Sequence, residues 1–154
     1  MTHAPYRVSW LAIALLCACE DPLEVPDCND DQADETCAVF RIVNEERTGA
    51  GMPAYQWNVE LAIAAQRHAQ DMVANDYFDH TSEDGRSFSD RCEEAGYDAS
   101  PRGEYIAMGQ QTPGRVLESW RCSGGRGASV WADGAHEIGV GGGGLAWGRG
   151  CGRG

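Results

Sequence analysis

The clearest pattern of apolar and polar positions lies between residues 58 and 74. Apolar residues recur there every three or four positions, which places their side chains on one face of a helix. This face consists of Leu61, Ala65, Met72 and Val73, with Ala62, Ala64 and Ala69 beside them. Asn58 precedes the pattern and can cap the first helical turn with its side-chain oxygen. We therefore predict a helix that begins after Asn58 and ends near Asn75 and Asp76.

Weaker patterns predict the other elements of the chain. They are a helix over 38–48, an extended connector over 52–57, a short helix over 88–95, a strand over 103–108, a helix begun by Thr112 and Pro113, and a strand over 136–141. Within the connector, Tyr55 and Trp57 are expected to pack into the core. Residues 141–154 are mostly glycine, which adds backbone entropy cost and no packing to a strand. We expect this end to be poorly specified, with a degenerate last strand that is either frayed or held by something the sequence does not show.

His68 lies on the apolar face of the long helix. A histidine in that position is either a ligand or a core residue with local hydrogen bonds. We interpret His68 as a core or boundary residue, because the positions around it are apolar.

Composition limits the classes of function. The 154 residues and the hydrophobic fraction of 42% suit one domain with a core of its own. The formal net charge is -12, and every basic residue is an arginine. Such acidity argues against binding to nucleic acid and against electrostatic adhesion to anionic lipid, since both need a basic surface.

The chain has seven cysteines and no C-x-x-C pair, which argues against a tetrathiolate zinc site and favours disulfides in an oxidising compartment. A local Cys28–Cys37 bridge is compatible with the sequence, although sequence alone does not determine connectivity. Cys92 and Cys122 follow the two short helices on either side of the 103–108 strand, so we expect them to pair. Cys151 is then left over, either as a free thiol or in an intermolecular bridge.

The first 19 residues have the pattern of an export signal. A weakly basic start precedes an apolar run over 8–16 that is too short to span a bilayer. The run ends in Leu16-Cys17-Ala18-Cys19, which resembles a bacterial lipobox and makes Cys19 the expected lipidation site. An ordinary secretory signal and an uncleaved anchor remain alternatives. We expect the acidic segment 20–37 to be a flexible tether.

Several motifs occur in a fixed order along the remainder of the chain. They are V-N-E-E-R at 43–47 followed by Trp57, A-x-x-H-x-x-D-M at 65–72, F-x-H-x-S at 78–82, A-G-Y at 95–97, Gly103-Glu104, Trp120, and E-I-G-V-G at 137–141. Together they resemble the CAP superfamily of cysteine-rich secretory proteins, antigen-five allergens and plant pathogenesis-related proteins, in its bacterial secreted form. The resemblance covers about Phe40 to Val140, so we assign 38–154 to one such domain.

The resemblance implies an α+β fold, an α-β-α sandwich with a small, mostly antiparallel sheet between helices. It also implies a cleft in which two histidines and two glutamates converge, in some members around a divalent metal such as zinc. Carried onto this sequence, these residues are His80, Glu104 and Glu137. Arg126 stands in place of the second histidine, and it cannot ligate a cation because it stays protonated. We expect Arg126 to form a salt bridge to Glu104 or Glu137.

Three functional hypotheses follow from these residues. The cleft could bind an envelope ligand (a lipid, a glycan or a peptide), or it could hydrolyse a substrate by metal or acid–base chemistry through His80, Glu104 and Glu137. The third hypothesis is a non-catalytic interaction module of the cell envelope, exported and lipid-anchored, or secreted if it is not lipidated. We favour the third, with no required cofactor and no nucleic-acid partner, because a lipid anchor, an acidic tether and a small stable domain all fit it without any chemistry. The absence of a nucleophile in a recognisable motif argues against the hydrolase.

Overall fold

The computed structural model describes residues 25–29, 34–123, 134–143 and 146–152. Its elements are α1 (Glu35–Gly49), β1 (Gln56–Trp57), α2 (Val59–Ala74), α3 (Phe88–Glu94), β2 (Pro101–Met108), α4 (Pro113–Ser123), β3 (Glu137–Gly143) and β4 (Ala146–Gly152). All four predicted helices are present, with boundaries that differ by at most three residues. No helix in these four ranges combines the length and apolar character needed to cross a membrane.

The four strands form one sheet in the order β1-β3-β4-β2. The pairing of β1 with β3 is parallel, and both pairs that involve β4 are antiparallel. Apolar residues of α1 and α4 pack together with Ile138 and Val140 on one face, while α2 covers the glycines of β3 on the other. The predicted α-β-α sandwich is confirmed.

Helix α1 begins at Glu35, three residues earlier than predicted. Asp34 and Glu35, which we expected in an acidic tether, cap the helix and start its first turn. The Asp34 carboxylate accepts a hydrogen bond from the Thr36 amide at 2.7 Å and so caps the helix. Glu35 then lies in the first turn, where the helix dipole favours a negative charge.

The Cys28–Cys37 disulfide is present and joins the segment before α1 to that helix. Both cysteines are buried in the main core cluster, and Val25 packs against it. The part of the expected tether that the structure describes, 25–29 and 34–37, therefore packs on the domain. The segment 1–24, with the predicted signal and Cys19, lies outside the described residues.

The V-N-E-E-R motif has a structural explanation. The Asn44 side chain exchanges two hydrogen bonds with the backbone of Tyr55, at 2.7 and 3.1 Å. Arg47 is 2% exposed, donates to the Pro53 carbonyl and places its guanidinium 3.7 Å from the centroid of the Tyr55 ring. The motif thus holds the connector in place, and Tyr55 and Trp57 are buried as predicted.

The glycine-rich end forms β4 instead of a poorly specified tail. Its backbone pairs with β3 on one side and β2 on the other, so β4 is an interior strand of the sheet. Helix α2 crosses this region so closely that a Cβ atom at Gly139 or Gly141 would lie less than 3.0 Å from the helix backbone. The glycines allow this close packing. The strand is therefore held by its neighbours in the sheet and by α2, in agreement with the second alternative, although glycine by itself weakens a strand.

Strand β1 pairs with only the first two residues of β3, and a side chain of α2 forms hydrogen bonds with the backbone of β3 farther along the strand. The Gln66 side chain donates to the Gly142 carbonyl and accepts from the Gly142 amide at 2.8 Å. A side chain therefore satisfies backbone groups that a longer β1 would otherwise pair.

Candidate functional site

The loop that carries His80 follows the C-terminal end of α2, and the buried side chain of His68 forms a hydrogen bond with its backbone. His68 is fully buried, and its Nε2 lies 3.0 Å from the carbonyl oxygen of Asp79. Because a carbonyl only accepts, Nε2 of His68 carries the proton in this hydrogen bond. The prediction of a core histidine with local hydrogen bonds is confirmed.

Burial and hydrogen bonding shift two pKa values beneath the loop. Desolvation is the main cause that lowers the pKa of His68, since burial disfavours the charged imidazolium. Desolvation and then the hydrogen bond to Asp71 raise the pKa of Tyr77 to about 12. Tyr77 donates its phenolic hydrogen to Asp71 and packs with Met72, which anchors the first residue of the loop to α2.

His80 lies at the surface, next to a buried carboxylate. Its Nδ1 is 2.9 Å from Oε2 of Glu104 on β2, and the two side chains are 60% and 5% exposed, respectively. Phe78, two positions earlier, is half exposed. The structure therefore brings together two of the three predicted site residues, His80 and Glu104.

Arg91 on α3 is the residue that the sequence analysis missed. Its side chain is 4% exposed, and Nη2 lies 2.6 Å from the second oxygen of Glu104. Its remaining acceptors are the carbonyls of His80 and Arg86 and the hydroxyl of Ser82, each at 3.1 Å. Arg91 is thus the charged partner of Glu104 among the described residues. The expected salt bridge of Arg126 to Glu104 or Glu137 lies outside the described residues and stays a prediction.

A sequence signal for Arg91 does exist. Phe88, Arg91, Cys92 and Ala95 follow one another at helical spacing and define the inner face of a short helix. The structure confirms that Arg91 and Cys92 are buried on this face. A charged residue at a core-facing position needs a partner of opposite charge, and an acidic residue on the neighbouring strand was the natural candidate.

Glu137 lies apart from the other two predicted site residues. In the sheet, Glu104 is opposite Gly150 of β4, and Gly150 is opposite Gly139 of β3. Glu137 is therefore two strands and two residues away from Glu104. Its Oε2 accepts a hydrogen bond from the Tyr97 hydroxyl at 2.9 Å, and Phe88 covers Gly150 between the two glutamates.

The described residues do not fit a divalent cation held jointly by the predicted ligands. Both oxygens of Glu104 are engaged, one by His80 and the other by Arg91. Within the ranges that the structure describes, no group of three or more His, Cys, Asp or Glu side chains could hold a metal ion. His136, which directly precedes Glu137 in the chain, is exposed.

The predicted Cys92–Cys122 pairing is wrong. Cys92 is buried among Leu61, Ala64 and Tyr97, whereas Cys122 is exposed at the end of α4, and both carry free thiols. The two helices belong to opposite layers of the sandwich, so the sheet separates the two cysteines. Burial raises the pKa of the Cys92 thiol to about 12, which disfavours the reactive thiolate. The side chain of Cys151 lies outside the described part of the chain.

Comparisons with known proteins identify a family model and a curated relative. The model of the Cysteine-rich secretory protein family (CAP) matches residues 40–141. The uncharacterized protein YkwD of Bacillus subtilis (strain 168) is 34% identical over 103 residues, which are 67% of this chain and 40% of that protein. The chain therefore spans less than half the length of this relative.

Two solved structures share the fold. An extracellular protein containing a SCP domain from Bacillus anthracis aligns with a TM-score of 0.73 and 24% identity over 78% of this chain and 40% of its own. An outer surface protein from Borrelia burgdorferi aligns with a TM-score of 0.69 and 17% identity over 80% of this chain and 96% of its own. At these identities the likeness is one of fold.

Proposed function

The chain belongs to the cysteine-rich secretory protein (CAP) family, and on this premise we propose that it is an exported, non-catalytic binding module of the cell envelope. Export is supported by the signal-like residues 1–19 and by the Cys28–Cys37 disulfide, since such bonds persist in oxidising compartments. It is also supported by the two structural neighbours, which are described as an extracellular protein and an outer surface protein. Lipidation at Cys19 would anchor the module to the membrane.

The observation that carries the non-catalytic proposal is the state of Glu104. Its carboxylate is buried, one oxygen is paired with Arg91 at 2.6 Å, and the other is hydrogen-bonded to His80. A general acid or base must exchange a proton with substrate, and Glu104 has neither a free oxygen nor an exposed one. We assign it instead the task of holding the His80 ring.

The surroundings of His80 also lack an activated nucleophile among the described residues. Ser82 is 3% exposed, and its hydroxyl accepts a hydrogen bond from Arg91. Cys92 is buried, with a raised pKa. What the loop offers to a ligand is the exposed imidazole of His80 together with the half-exposed ring of Phe78, which suits a ligand with both a polar and an apolar surface. A glycan, a peptide and a lipid headgroup region all meet that description.

The binding proposal is tested by co-sedimentation of the purified protein with isolated peptidoglycan sacculi and, separately, with phosphatidylethanolamine–phosphatidylglycerol vesicles. We expect His80→Ala and Phe78→Ala to lose binding to one of the two materials at least tenfold. His136→Ala is the matched control, because His136 is equally an exposed histidine but lies outside the loop. Unchanged binding in His80→Ala would refute the assignment of this site.

Lipid anchoring is tested by incorporation of labelled palmitate in the bacterial host. Cys19→Ser is expected to abolish the incorporation, whereas Cys17→Ser is expected to leave it unchanged. Loss of the label in Cys17→Ser alone would assign lipidation to Cys17 instead of Cys19. Absence of label in the unaltered protein would favour an ordinary secretory signal.

The alternative function is that of an acid–base hydrolase that acts through His80, Glu104 and Glu137. One observation favours it: a carboxylate holds Nδ1 of an exposed imidazole, and histidine general bases are oriented in this way. Hydrolysis of peptidoglycan or of an ester substrate that falls about 100-fold or more in His80→Ala, with the fold intact, would establish this alternative.

The proposal requires no cofactor, and this too can be measured. The metal content of protein purified without chelators is compared between the unaltered chain and His80→Ala, with Arg126→His as a third form. Stoichiometric zinc that disappears in His80→Ala would contradict the cofactor-free proposal. Zinc in Arg126→His alone would mean that one arginine abolishes a family metal site.

A further inference from the structure

We propose that Arg91 is a positioning residue that acts through Glu104 to keep the proton of neutral His80 on Nδ1, so that the lone pair of Nε2 faces the solvent. This inference rests on the proposed function, in which His80 contacts the ligand, and it deepens that function by stating what His80 presents.

The charge of Glu104 is balanced by Arg91. A carboxylate that is 5% exposed has lost nearly all of its hydration and needs compensation. Arg91 supplies it, because its guanidinium is always protonated and lies 2.6 Å from Oε1. The guanidinium and the carboxylate thus form a buried ion pair.

The charge of Glu104 then fixes the direction of the hydrogen bond to His80. An ionised carboxylate has only acceptor oxygens, and Oε2 of Glu104 lies 2.9 Å from Nδ1 of His80. Nδ1 must therefore be the donor. In a neutral imidazole only one nitrogen carries hydrogen, so Nε2 is left unprotonated, and the ring that carries it is 60% exposed.

Arg91 also fixes the position of the loop relative to Glu104. It donates through Nη2 to the backbone carbonyl of His80 and through Nη1 to Ser82 and to the carbonyl of Arg86. One guanidinium thus contacts both the carboxylate and the loop that bears the imidazole. Because both ends of the His80–Glu104 hydrogen bond are held by the same buried group, their separation is set by Arg91. Lysine cannot reproduce this planar set of donors.

The consequence is a definite ligand chemistry. An outward Nε2 lone pair accepts a hydrogen bond and cannot donate one while the ring is neutral. The ligand group that meets His80 is therefore a donor, such as a hydroxyl or an amide N–H. A carboxylate or phosphate oxygen would instead face another acceptor.

The test is the tautomer of His80, measured by long-range ¹H–¹⁵N correlation on the ¹⁵N-labelled full chain at pH 8. Resonances are assigned by loss of one signal set in His80→Ala and another in His136→Ala. We expect the unaltered protein to show the Nδ1–H tautomer at His80. In Arg91→Gln and Glu104→Gln, we expect the His80 signals to shift toward the Nε2–H form, with Arg91→Lys between the two extremes and His136 unchanged throughout.

Two outcomes would overturn the inference. An Nε2–H tautomer in the unaltered chain would contradict it without any variant. An Arg91→Lys protein that folds, as judged by near-UV circular dichroism, and keeps the His80 signals of the unaltered protein would show that Arg91 is only structural. The unaltered chain decides the first point even if both Gln variants fail to fold.

The same measurements separate this inference from the proposed function. If His80 has the Nδ1–H tautomer and the Arg91 variants alter it, while His80→Ala still binds sacculi or vesicles, then the binding assignment fails and the role of Arg91 stands. If binding depends on His80 but its tautomer is Nε2–H, then the binding assignment stands and the role of Arg91 fails.

Discussion

Arg47 and Arg91 are both buried arginines. The contacts of Arg47 include the ring of Tyr55 and the carbonyl of Pro53. Arg91 has a full counter-charge in Glu104. Removal of Glu104 should therefore be costly, because a buried charge would lose its counter-ion.

The buried ion pair predicts the effect of Glu104→Gln on stability. The substitution keeps the shape of the side chain but leaves Arg91 buried without its counter-ion, so we expect the free energy of unfolding to fall by about 3 kcal/mol or more. Urea denaturation monitored by tryptophan fluorescence measures this loss in the free energy of unfolding. The control is His80→Ala, which removes the exposed partner of the same carboxylate and should cost less than about 1 kcal/mol. Similar losses in both variants would contradict this account of the site.

His68 predicts a dependence of stability on pH. Burial lowers the pKa of His68 below its ordinary value of 6.5, so below that pH the unfolded chain binds a proton that the folded chain still excludes. The free energy of unfolding should be fully retained above pH 6.5 and fall as the pH drops toward the folded pKa, with a slope of at most about 1.4 kcal/mol per pH unit.

Urea midpoints at pH 7.5, 6.5 and 5.5 measure this dependence. His68→Gln should flatten it, while His136→Gln, at an exposed histidine, should leave it unchanged. A slope that persists in His68→Gln would assign the pH dependence to other groups.

At the scale of elements, the contact between α2 and the β3–β4 pair organises the domain. The helix lies over Gly139, Gly141 and Gly148, and the side chain of Gln66 pairs with the backbone of Gly142. A strand rich in glycine is weak in isolation. Here the missing side chains let the helix backbone approach the sheet, which positions the loop that follows α2 and carries His80.

Gly141→Ala is therefore expected to be strongly destabilising. Its methyl group would lie less than 3.0 Å from backbone atoms of α2, and backbone cannot yield as a flexible side chain does. We expect a loss of more than about 3 kcal/mol or failure to fold, measured by circular dichroism and urea denaturation. The matched control is Gly103→Ala, in strand β2, where a Cβ atom meets nothing within 4 Å. Equal stability of the two variants would show that α2 can move away from the sheet.

At the scale of the whole molecule, the Cys28–Cys37 disulfide joins the segment before α1 to the core. Val25 and both cysteines pack with residues from α1, α4 and the sheet. This arrangement places the start of the packed domain before residue 29, within the part expected to be a tether. A linker to the proposed membrane anchor would thus be shorter than 20–37.

Removal of this disulfide should destabilise the domain as a whole. The bridge closes a loop with a sequence separation of 9, for which chain entropy gives roughly 2–3 kcal/mol. We expect the double variant Cys28→Ser/Cys37→Ser to lose about that much in thermal or urea unfolding. Cys122→Ser, at an exposed free thiol, should unfold like the unaltered chain. If the double variant matched Cys122→Ser, the segment before α1 would contribute nothing to stability.

The helices and the family were predictable from the sequence because their signals are local. Asn58 caps α2 through the amide of Leu61, and the spacing of apolar residues places the buried face of the helix correctly except at Val73, which is 48% exposed. His80 and Glu104 were found through motifs, and they do form a pair. Arg91 was missed as a partner of Glu104, because a motif comparison considers only positions that the family already marks.

The sequence by itself determined the four helices and the location of His80 on the loop after α2, since capping, periodicity and turn residues act over a few positions, and its resemblance to the family implied the α-β-α architecture. Tertiary structure decided what depends on contacts between distant residues. It placed Arg91 against Glu104, kept Glu137 two strands away, separated Cys92 from Cys122 by a sheet, and formed β4 beneath α2. Each of these depends on distances between elements. Which residue is buried against which, and which charges pair, is determined only when those elements have packed.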